Sequence, residues 1–369
     1  MLKIANLLKS KSSTLEDLAA ERLQTVLGAV PFLNPGTPSK EHASGSRVAD
    51  FTVPIEVRGQ SWTLVCEVKN SGQPRFVREG AFQLRKYLQS LSSPQTYGVF
   101  IAPYLSEESA SLLKEESLGY LDFAGNCFLS FDGVFVERSG SPHTPERRRE
   151  LREIFAPKAS RVLRVLFTDA NRSWRVTELA AHAAVSLGQV SNVRRALVDR
   201  EWASTDSQGL RLRKPGTILD AWRSAYAPKL AAEQDYYTLL HGKELTGAIK
   251  LAFAAVPHDA HLALASFSAA QWLAPFARSA GTYFYADPLG MEVLIEHLKL
   301  ERASRGTNTS VAVPKDDAVY IDSGEPTPGF RCTGVLQTYL DLSRAGDRGR
   351  EAAEHLRKTQ LEPQWLMRP

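Results

Sequence analysis

VADFTVPIEV (residues 48–57), RGQS (58–61) and WTLVCEVKN (62–70) read together as a β-hairpin. Side chains alternate faces along a strand. On the first strand Ala49, Phe51, Val53, Ile55 and Val57 share one face, and Asp50, Thr52, Pro54 and Glu56 share the other. On the second strand Trp62, Leu64, Cys66 and Val68 oppose Thr63, Val65, Glu67 and Lys69. Pairing Val57 with Trp62 across the RGQS turn sets apolar against apolar, Phe51 facing Val68 and Val53 facing Cys66. That register expects Asp50 opposite Lys69 and Glu67 opposite Thr52. A slip by one residue would mix the two faces, so the pattern itself resists it. Pro54, which cannot donate to a ladder, points to an edge or bulged strand.

Two carboxylates one cross-strand spacing apart can share a hard divalent cation that keeps waters on itself. Such a cation lowers the pKa of a bound water and neutralises charge on a phosphate, and a lysine beside it steadies developing charge. The same three residues also fit a solvated hairpin face on which Asp50 and Lys69 form an ordinary cross-strand pair. The following segment, from Arg78 to Leu88, reads as an amphipathic helix with Gln83 and Tyr87 four apart on one face.

The series Asp50, Glu67-Val-Lys69 and Gln83-x-x-x-Tyr87 resembles the motifs of the RecB-like branch of PD-(D/E)XK nucleases. The resemblance extends over residues 1–140. It takes in a helix starting at an N-cap Thr14, a buried strand at Tyr97-Gly-Val-Phe-Ile-Ala and a helix from Ser106 to Glu116. A last strand at Gly119-Tyr-Leu-Asp-Phe-Ala completes the helix–three-strand–helix–strand order of that fold. The resemblance implies a restriction-endonuclease-like domain and Mg²⁺ as cofactor, with Asp50 and Glu67 as metal ligands. It implies that Lys69 assists the attacking water and that Gln83 and Tyr87 align the DNA backbone. Glu21 fits the extra acidic residue that some members carry on the first helix. Cys66 reads as core filler, and Asp122-Phe-Ala-Gly-Asn126 as a turn closing the last strand or a loop near the site.

A chain of 369 residues calls for two or three cores. With 43% hydrophobic and 23% charged residues it has the composition of a globular protein, and a net charge of +4 permits a nucleic-acid partner without requiring one. Its three cysteines, Cys66, Cys127 and Cys332, lie far apart with no ligand spacing, which points away from zinc or a disulfide framework and toward a reducing, cytoplasmic setting. No apolar run approaches a membrane span, and MLKIANLLKSKSS does not read as a signal peptide.

Residues 141–159 read as a basic linker in which Arg147, Arg148 and Arg149 either touch phosphates or form a solvated helix face. Residues 160–216 have the cadence of a winged helix: helices near 160–167 and 177–182, a third opened by Ser186 and Gln189, and a hairpin turn at 204–209. Val190, Val193 and Leu197 mark the inner side of the third helix, with Trp174 and Trp202 as core. Its outer side carries Gly188, Ser191, Asn192, Arg194 and Arg195, a mixture suited to base edges and phosphates, while Arg211 and Arg213 line the expected wing. The arrangement resembles bacterial winged helix-turn-helix regulators, for which double-stranded DNA is the partner; a winged helix used for protein contacts is the alternative.

Residues 217–369 alternate helical and strand-like pieces, as an α/β domain does. Helices are expected through 220–233 and 236–253, and strands at 262–265, 282–286, 311–313 and 318–321. His258 and His261 invite a metal, although Pro257 favours a surface turn. Ala265-Ser-Phe-Ser-Ala-Ala-Gln-Trp, Val335-Leu-Gln337-Thr-Tyr-Leu-Asp341 and Arg348-Gly-Arg-Glu-Ala-Ala-Glu354 resemble the C-terminal half of AbiEi-type antitoxins and transcription regulators. That resemblance implies repression of its own operon and neutralisation of a toxin without direct contact. The expectation is a multidomain α/β (α+β) protein: nuclease-like domain, winged helix and C-terminal α/β domain. Its expected function is a DNA-binding regulator or defence-associated protein, the alternative being an active Mg²⁺-dependent endonuclease targeted by the winged helix.

Overall fold

A computed structural model describes residues 14–40, 49–91, 93–140, 153–276, 281–302 and 305–366. The leading 13 residues, the end of the loop expected at 35–47 and the arginines at 147–149 lie outside the described residues. The chain divides into two compact units, Met1–Glu150 with Val198–Glu201, and Leu151–Leu197 with Trp202–Pro369.

The first unit begins with helix α1 (Leu15–Gly28), capped reciprocally by Thr14 and Asp17. Three strands follow, β1 (Leu33–Pro35), β2 (Phe51–Val57) and β3 (Gln60–Val68). Helix α2 (Pro74–Ser90), strand β4 (Thr96–Ala102), helix α3 (Glu107–Glu115) and strands β5 (Gly119–Asp122), β6 (Cys127–Phe131) and β7 (Val134–Arg138) complete it. The seven strands lie in the sheet in sequence order. β3, β4 and β5 run parallel to one another, and the remaining neighbours are antiparallel.

Both faces of this sheet are covered. Ala19, Leu23, Val26 and Leu27 of α1 pack with Phe51, Val53, Ile55, Leu64 and Cys66 on one side. Val77, Ala81 and Leu84 of α2 and Leu113 of α3 pack with Val65 and Phe100 on the other. The end of the charged face away from the turn is therefore not a solvated one: Thr52, Val65 and Glu67 are buried and Asp50 and Lys69 half-buried, while Pro54 and Glu56, nearer the turn, are exposed. Gly80 lets α2 approach this closely, because a Cβ there would lie 2.4 Å from Cε2 of Phe100 and 3.6 Å from Cγ of Glu67.

The hairpin register differs from the sequence expectation. The turn is two residues long, Arg58 and Gly59, with φ of +50° and +80°, so Val57 pairs with Gln60 and Phe51 with Cys66. Two positive φ values give the turn that matches the right-handed twist of paired strands. The shift from the expected pairing is two residues, so each side chain keeps its face while its partner changes. Asp50 now falls opposite Glu67 rather than Lys69, one step beyond the Phe51–Cys66 pair. Pro54 is not at the sheet edge, because β1 pairs outside β2. Its carbonyl accepts from Gly36 N–H at 2.7 Å just past the end of β1, where the chain departs from regular pairing.

In the second unit, α4 (Pro157–Thr168), α5 (Val176–Ala183) and α6 (Leu187–Asp199) are followed by the antiparallel hairpin β8 (Ala203–Thr205) and β9 (Leu210–Leu212). Trp174 exchanges both main-chain hydrogen bonds with Leu210, tying the α4–α5 connection to the hairpin. After α7 (Pro215–Ala225) come β10 (Leu230–Tyr237), α8 (Gly242–Ala255), β11 (Leu262–Leu264), α9 (Ser266–Leu273), β12 (Thr282–Ala286) and α10 (Pro288–Leu298). Short β13 (Glu301–Arg302), β14 (Thr309–Pro314), β15 (Gly324–Thr327) and β16 (Phe330–Cys332) follow. The unit ends with α11 (Val335–Leu342), α12 (Gly346–Leu356), a π-helical turn Arg357–Leu361 and α13 (Glu362–Leu366). These strands form a seven-stranded sheet of order β13-β10-β14-β12-β11-β16-β15.

Two expectations are corrected here. Residues 230–237, expected within helical stretches, form strand β10. Its Ala, Glu and Gln residues favour helix locally, but pairing with β14 and the burial of Tyr236 prevail. Residues 318–321, expected as a strand, fall in a 3₁₀ turn, Asp317–Tyr320, capped by the Asp316 carboxylate. No helix among the described residues is long and apolar enough to cross a membrane.

The packing of α2 makes a direct prediction. Gly80→Val should lower the stability of the first unit by about 1–3 kcal/mol through overpacking against Phe100. Urea unfolding followed by circular dichroism measures this, and an unchanged midpoint would show that α2 does not pack as described.

Candidate functional site

At the end of the β2–β3 hairpin, Asp50 is pinned by the main chain. Its N–H donates to the Cys66 carbonyl at 3.1 Å, and its Oδ2 accepts from Val68 N–H at 2.6 Å. This sets its carboxyl beside Glu67. Glu67 is only 8% exposed, and its Oε1 accepts from Lys69 Nζ at 2.6 Å. The same ammonium donates to Gln83 Oε1 at 2.8 Å, linking β3 to α2. Tyr87, one turn further along α2, is half-buried and packs on the core beneath that helix.

Burial raises the Asp50 carboxyl above its ordinary pKa, against the opposing Val68 N–H and Lys69 charge, and Glu16 adds to the lift. Burial likewise raises Glu67. The Lys69 hydrogen bond opposes that rise, while the charges of Asp50 and Glu79 add to it. Glu16 and Glu79 thus each act on one member of the acidic pair. Glu16, on α1, has the charge that reaches Asp50, whereas Glu21 is exposed. Glu79 lies four residues before Gln83, in the helical row that already joined Gln83 to Tyr87, so its spacing made it legible. Glu16 carried no such signal, because its position depends on how α1 crosses the sheet.

The donor set fits a hard divalent cation. Mg²⁺ is held by one or two carboxylates, with waters and substrate phosphates filling the remaining positions. Asp50 and Glu67 supply two partly desolvated carboxylates whose ionised forms need a positive partner. Among the described residues no group of three or more His, Cys, Asp or Glu forms a metal cage, so the protein would supply only these two. His258 and His261 form no such group, and the His261 ring stacks on Tyr320 at 4.9 Å.

Two neighbouring polar residues have structural work. Asp122 accepts from Leu105 N–H at 3.0 Å, Asn126 N–H at 2.9 Å and Asn126 Nδ2 at 2.6 Å, which makes residues 122–126 a braced turn. Cys66 is fully buried, and burial pushes its thiol well up, so it serves as core.

In the second unit, Val190, Val193 and Leu197 anchor α6 inward. Ser186 Oγ accepts from Gln189 N–H at 3.2 Å at the start of this helix. Ala184, with φ of +51°, makes the turn between α5 and α6. Gly188, Asn192 and Arg195 are exposed on the outer side, with Ser191 and Arg194 half-buried beside them. On the hairpin, Arg211 is half-buried, and Arg213 is exposed with its Nε donating to Ser204 Oγ at 2.7 Å. Trp174 and Trp202 are buried, as expected.

Sequence reasoning missed a buried polar cluster behind the winged helix. Asp341, half-buried on α11 with its Oδ2 shielded from solvent, accepts at Oδ1 from Gln337 Nε2 (2.6 Å), Tyr285 (3.0 Å) and Tyr226 (3.1 Å). Gln337 Oε1 accepts from Arg164 Nη2, on α4, at 2.5 Å. Gln337 and Asp341 stand four apart in the motif that carried the AbiEi resemblance. Their spacing was visible, but Arg164, Tyr226 and Tyr285 reach them from distant parts of the chain. Burial is the main cause that raises Asp341, to about 7, against the tyrosine hydrogen bonds and the Arg164 charge.

Comparison with known families places a match on this unit. Residues 211–362 match the family described as transcriptional regulator, AbiEi antitoxin, type IV TA system. The match begins in β9 and runs through α11 and α12, so the chain carries an AbiEi-type C-terminal domain in a multidomain α/β protein. No curated protein matches the chain.

The Asp341 environment fixes a pH dependence. Its carboxyl is raised in the folded state, so the stability associated with the protonated form is complete below about pH 4 and lost as pH rises to about 7. Asp341→Asn removes the charge while keeping an acceptor. The stability of this variant relative to wild type should therefore grow from pH 5 to pH 8, by on the order of 1–4 kcal/mol. Thermal unfolding of both proteins across that range tests it, and a difference independent of pH would contradict the buried-carboxylate assignment.

Proposed function

We propose that this chain is a DNA-binding regulator of the AbiEi antitoxin type, acting on duplex DNA of a toxin–antitoxin operon. The observation that carries the reading is the outward face of α6. It exposes Gly188, Asn192 and Arg195 above an apolar anchor, directly upstream of the AbiEi match. Arg195 donates in a fork suited to guanine or phosphate, and Asn192 suits adenine. The hairpin arginines Arg211 and Arg213 approach the neighbouring backbone. Neutralisation of the operon's toxin without direct contact belongs to the same reading.

A second reading is favoured by a separate observation in the first unit, where Asp50 adjoins Glu67 and Lys69 bridges Glu67 to Gln83. The order helix, three strands, helix, strand also supports a PD-(D/E)XK-type scaffold. In this reading Asp50 and Glu67 hold Mg²⁺, which when bound supplies Lewis-acid activation of water and charge neutralisation at phosphate. Lys69 releases its contact with Glu67 and steadies the charge developing on the phosphate. Gln83 positions the lysine, and Tyr87 meets the DNA backbone. The winged helix then directs cleavage to chosen sites.

The two readings have separate tests. Replacing Arg195 with Ala should weaken binding to a duplex selected by the wild-type protein by about 1–3 kcal/mol. Fluorescence anisotropy measures the change, and equal affinities would remove α6 as the reader. For the enzymatic reading, wild type should nick or cut plasmid DNA with Mg²⁺ or Mn²⁺, while Lys69→Ala should be slower by about a hundredfold or more. Absent cleavage, or equal rates for the two proteins, would retire that reading and leave the regulator.

A further inference from the structure

A cavity of about 440 Å³ opens at the base of α4, between the winged helix and the AbiEi-type domain. It lies apart from the outward face of α6. Its walls are apolar in the larger part, with Phe155, Pro157, Trp222 and Val319 among them, and Ser160, Arg164, Tyr226, Lys229 and Asp316 supply the polar part. Small-molecule sites have this size and this mixture, an apolar cleft with a few convergent polar groups.

Its polar lining is biased toward positive charge. Arg164 lines the cavity and is only 3% exposed. One of its nitrogens serves Gln337, but Nε and Nη1 have no hydrogen-bond partner. No ion pair to Arg164 forms among the described residues. Its charge lowers the Asp322 and Asp341 carboxyls, but burial outweighs it and shifts both toward the neutral form. The single carboxylate in the lining, Asp316, is already taken by Arg161 at 2.9 Å. Lys229 stands exposed among the lining residues. The first turn of α4 lines the same space, and its N-cap, Ala156, supplies no side-chain acceptor. A buried guanidinium with two unused donors is costly, and an incoming anion would satisfy them with charge-assisted hydrogen bonds. The helix N-terminus adds to that attraction.

The flat part of the site is equally defined. The rings of Phe155 and Trp222 stack at 5.4 Å and 13°, and the Arg164 guanidinium lies 5.4 Å over the Trp222 ring. We infer that this cavity binds a small molecule with a planar aromatic ring and one carboxylate or phosphate group. The anion would meet Arg164 and Lys229, and the ring would lie against Phe155, the accessible member of the Phe155–Trp222 stack. Gln337 places the ligand one hydrogen bond from the buried Asp341 cluster, so the site reports to the core of the AbiEi-type domain.

Isothermal titration calorimetry on the full chain without DNA tests this independently of any regulatory role. The probes are 2-naphthoate and adenosine 5′-monophosphate, with 2-naphthol and adenosine as their uncharged counterparts. At least one anion should bind, and its uncharged counterpart should bind about tenfold more weakly or not at all. Which anion binds separates a carboxylate ligand from a nucleotide. Arg164→Met and the cavity-filling Ala225→Trp should abolish binding, and the exposed Lys229→Gln should weaken it severalfold. Should either buried-site variant fail to fold, judged by circular dichroism, Lys229→Gln still decides. The inference is overturned if neither anion binds, if the uncharged counterparts bind as well, or if binding ignores Lys229→Gln.

Discussion

The two-residue turn at Arg58 and Gly59 sets the geometry of the first unit. Two left-handed residues close the hairpin with a twist that suits paired strands, and the resulting register fixes everything beyond it. Phe51, Val53 and Ile55 meet Cys66, Leu64 and Trp62 over α1, while Val65 goes under α2. The same register sets Asp50 against Glu67 at the open end, where the Val68 N–H locks the Asp50 carboxyl in place. A turn two residues longer would have kept every face and still separated the two acids. The acidic pair is thus a consequence of turn geometry, and it needs no special backbone at the site itself.

Charge is handled differently in the two units. In the first, Asp50, Glu67 and Lys69 meet at one end of the hairpin, where burial raises both carboxyls and the lysine hydrogen-bonds one of them. In the second, Arg164 and Gln337 are buried and Asp341 half-buried, and the Asp341 carboxyl is raised to about 7 because burial opposes its charge. Removing one partner from such a network costs more than the network contributes, since it strands a buried group. That cost ties α4 of the winged helix to α11 of the AbiEi-type domain. Arg161 with Asp316 and Arg357 with Asp220 add further pairs within the unit.

Local patterns carried much of this into the sequence, and their failures share a cause. Alternation in residues 48–70 assigned every hairpin side chain to its face, and the row at Gln83 and Tyr87 located α2 over β3. The register departs from the expected one because RGQS suggests a four-residue turn, whereas the Arg58-Gly59 pair alone closes it. β10 was hidden because LAAEQDYY favours helix when alone and becomes a strand only against β14. Glu16 and Arg164 gave no sign for the same reason. Each acts on a partner that only tertiary packing brings near, Asp50 in one case and Gln337 in the other. The anchor and outer face of α6, by contrast, obey a single helical period and were legible in full.

The proposed regulator requires its helix-turn-helix to meet duplex DNA, and a salt titration tests that most directly. Anisotropy of a labelled duplex with the whole protein should show log affinity falling linearly as log salt rises. For contacts to several phosphates, the slope should be about 0.9 per phosphate neutralised. Arg195→Ala should give a shallower line, by about one unit of slope if the guanidinium meets phosphate. Failure to bind any duplex at low salt would contradict the account and make the winged helix a protein-contact module.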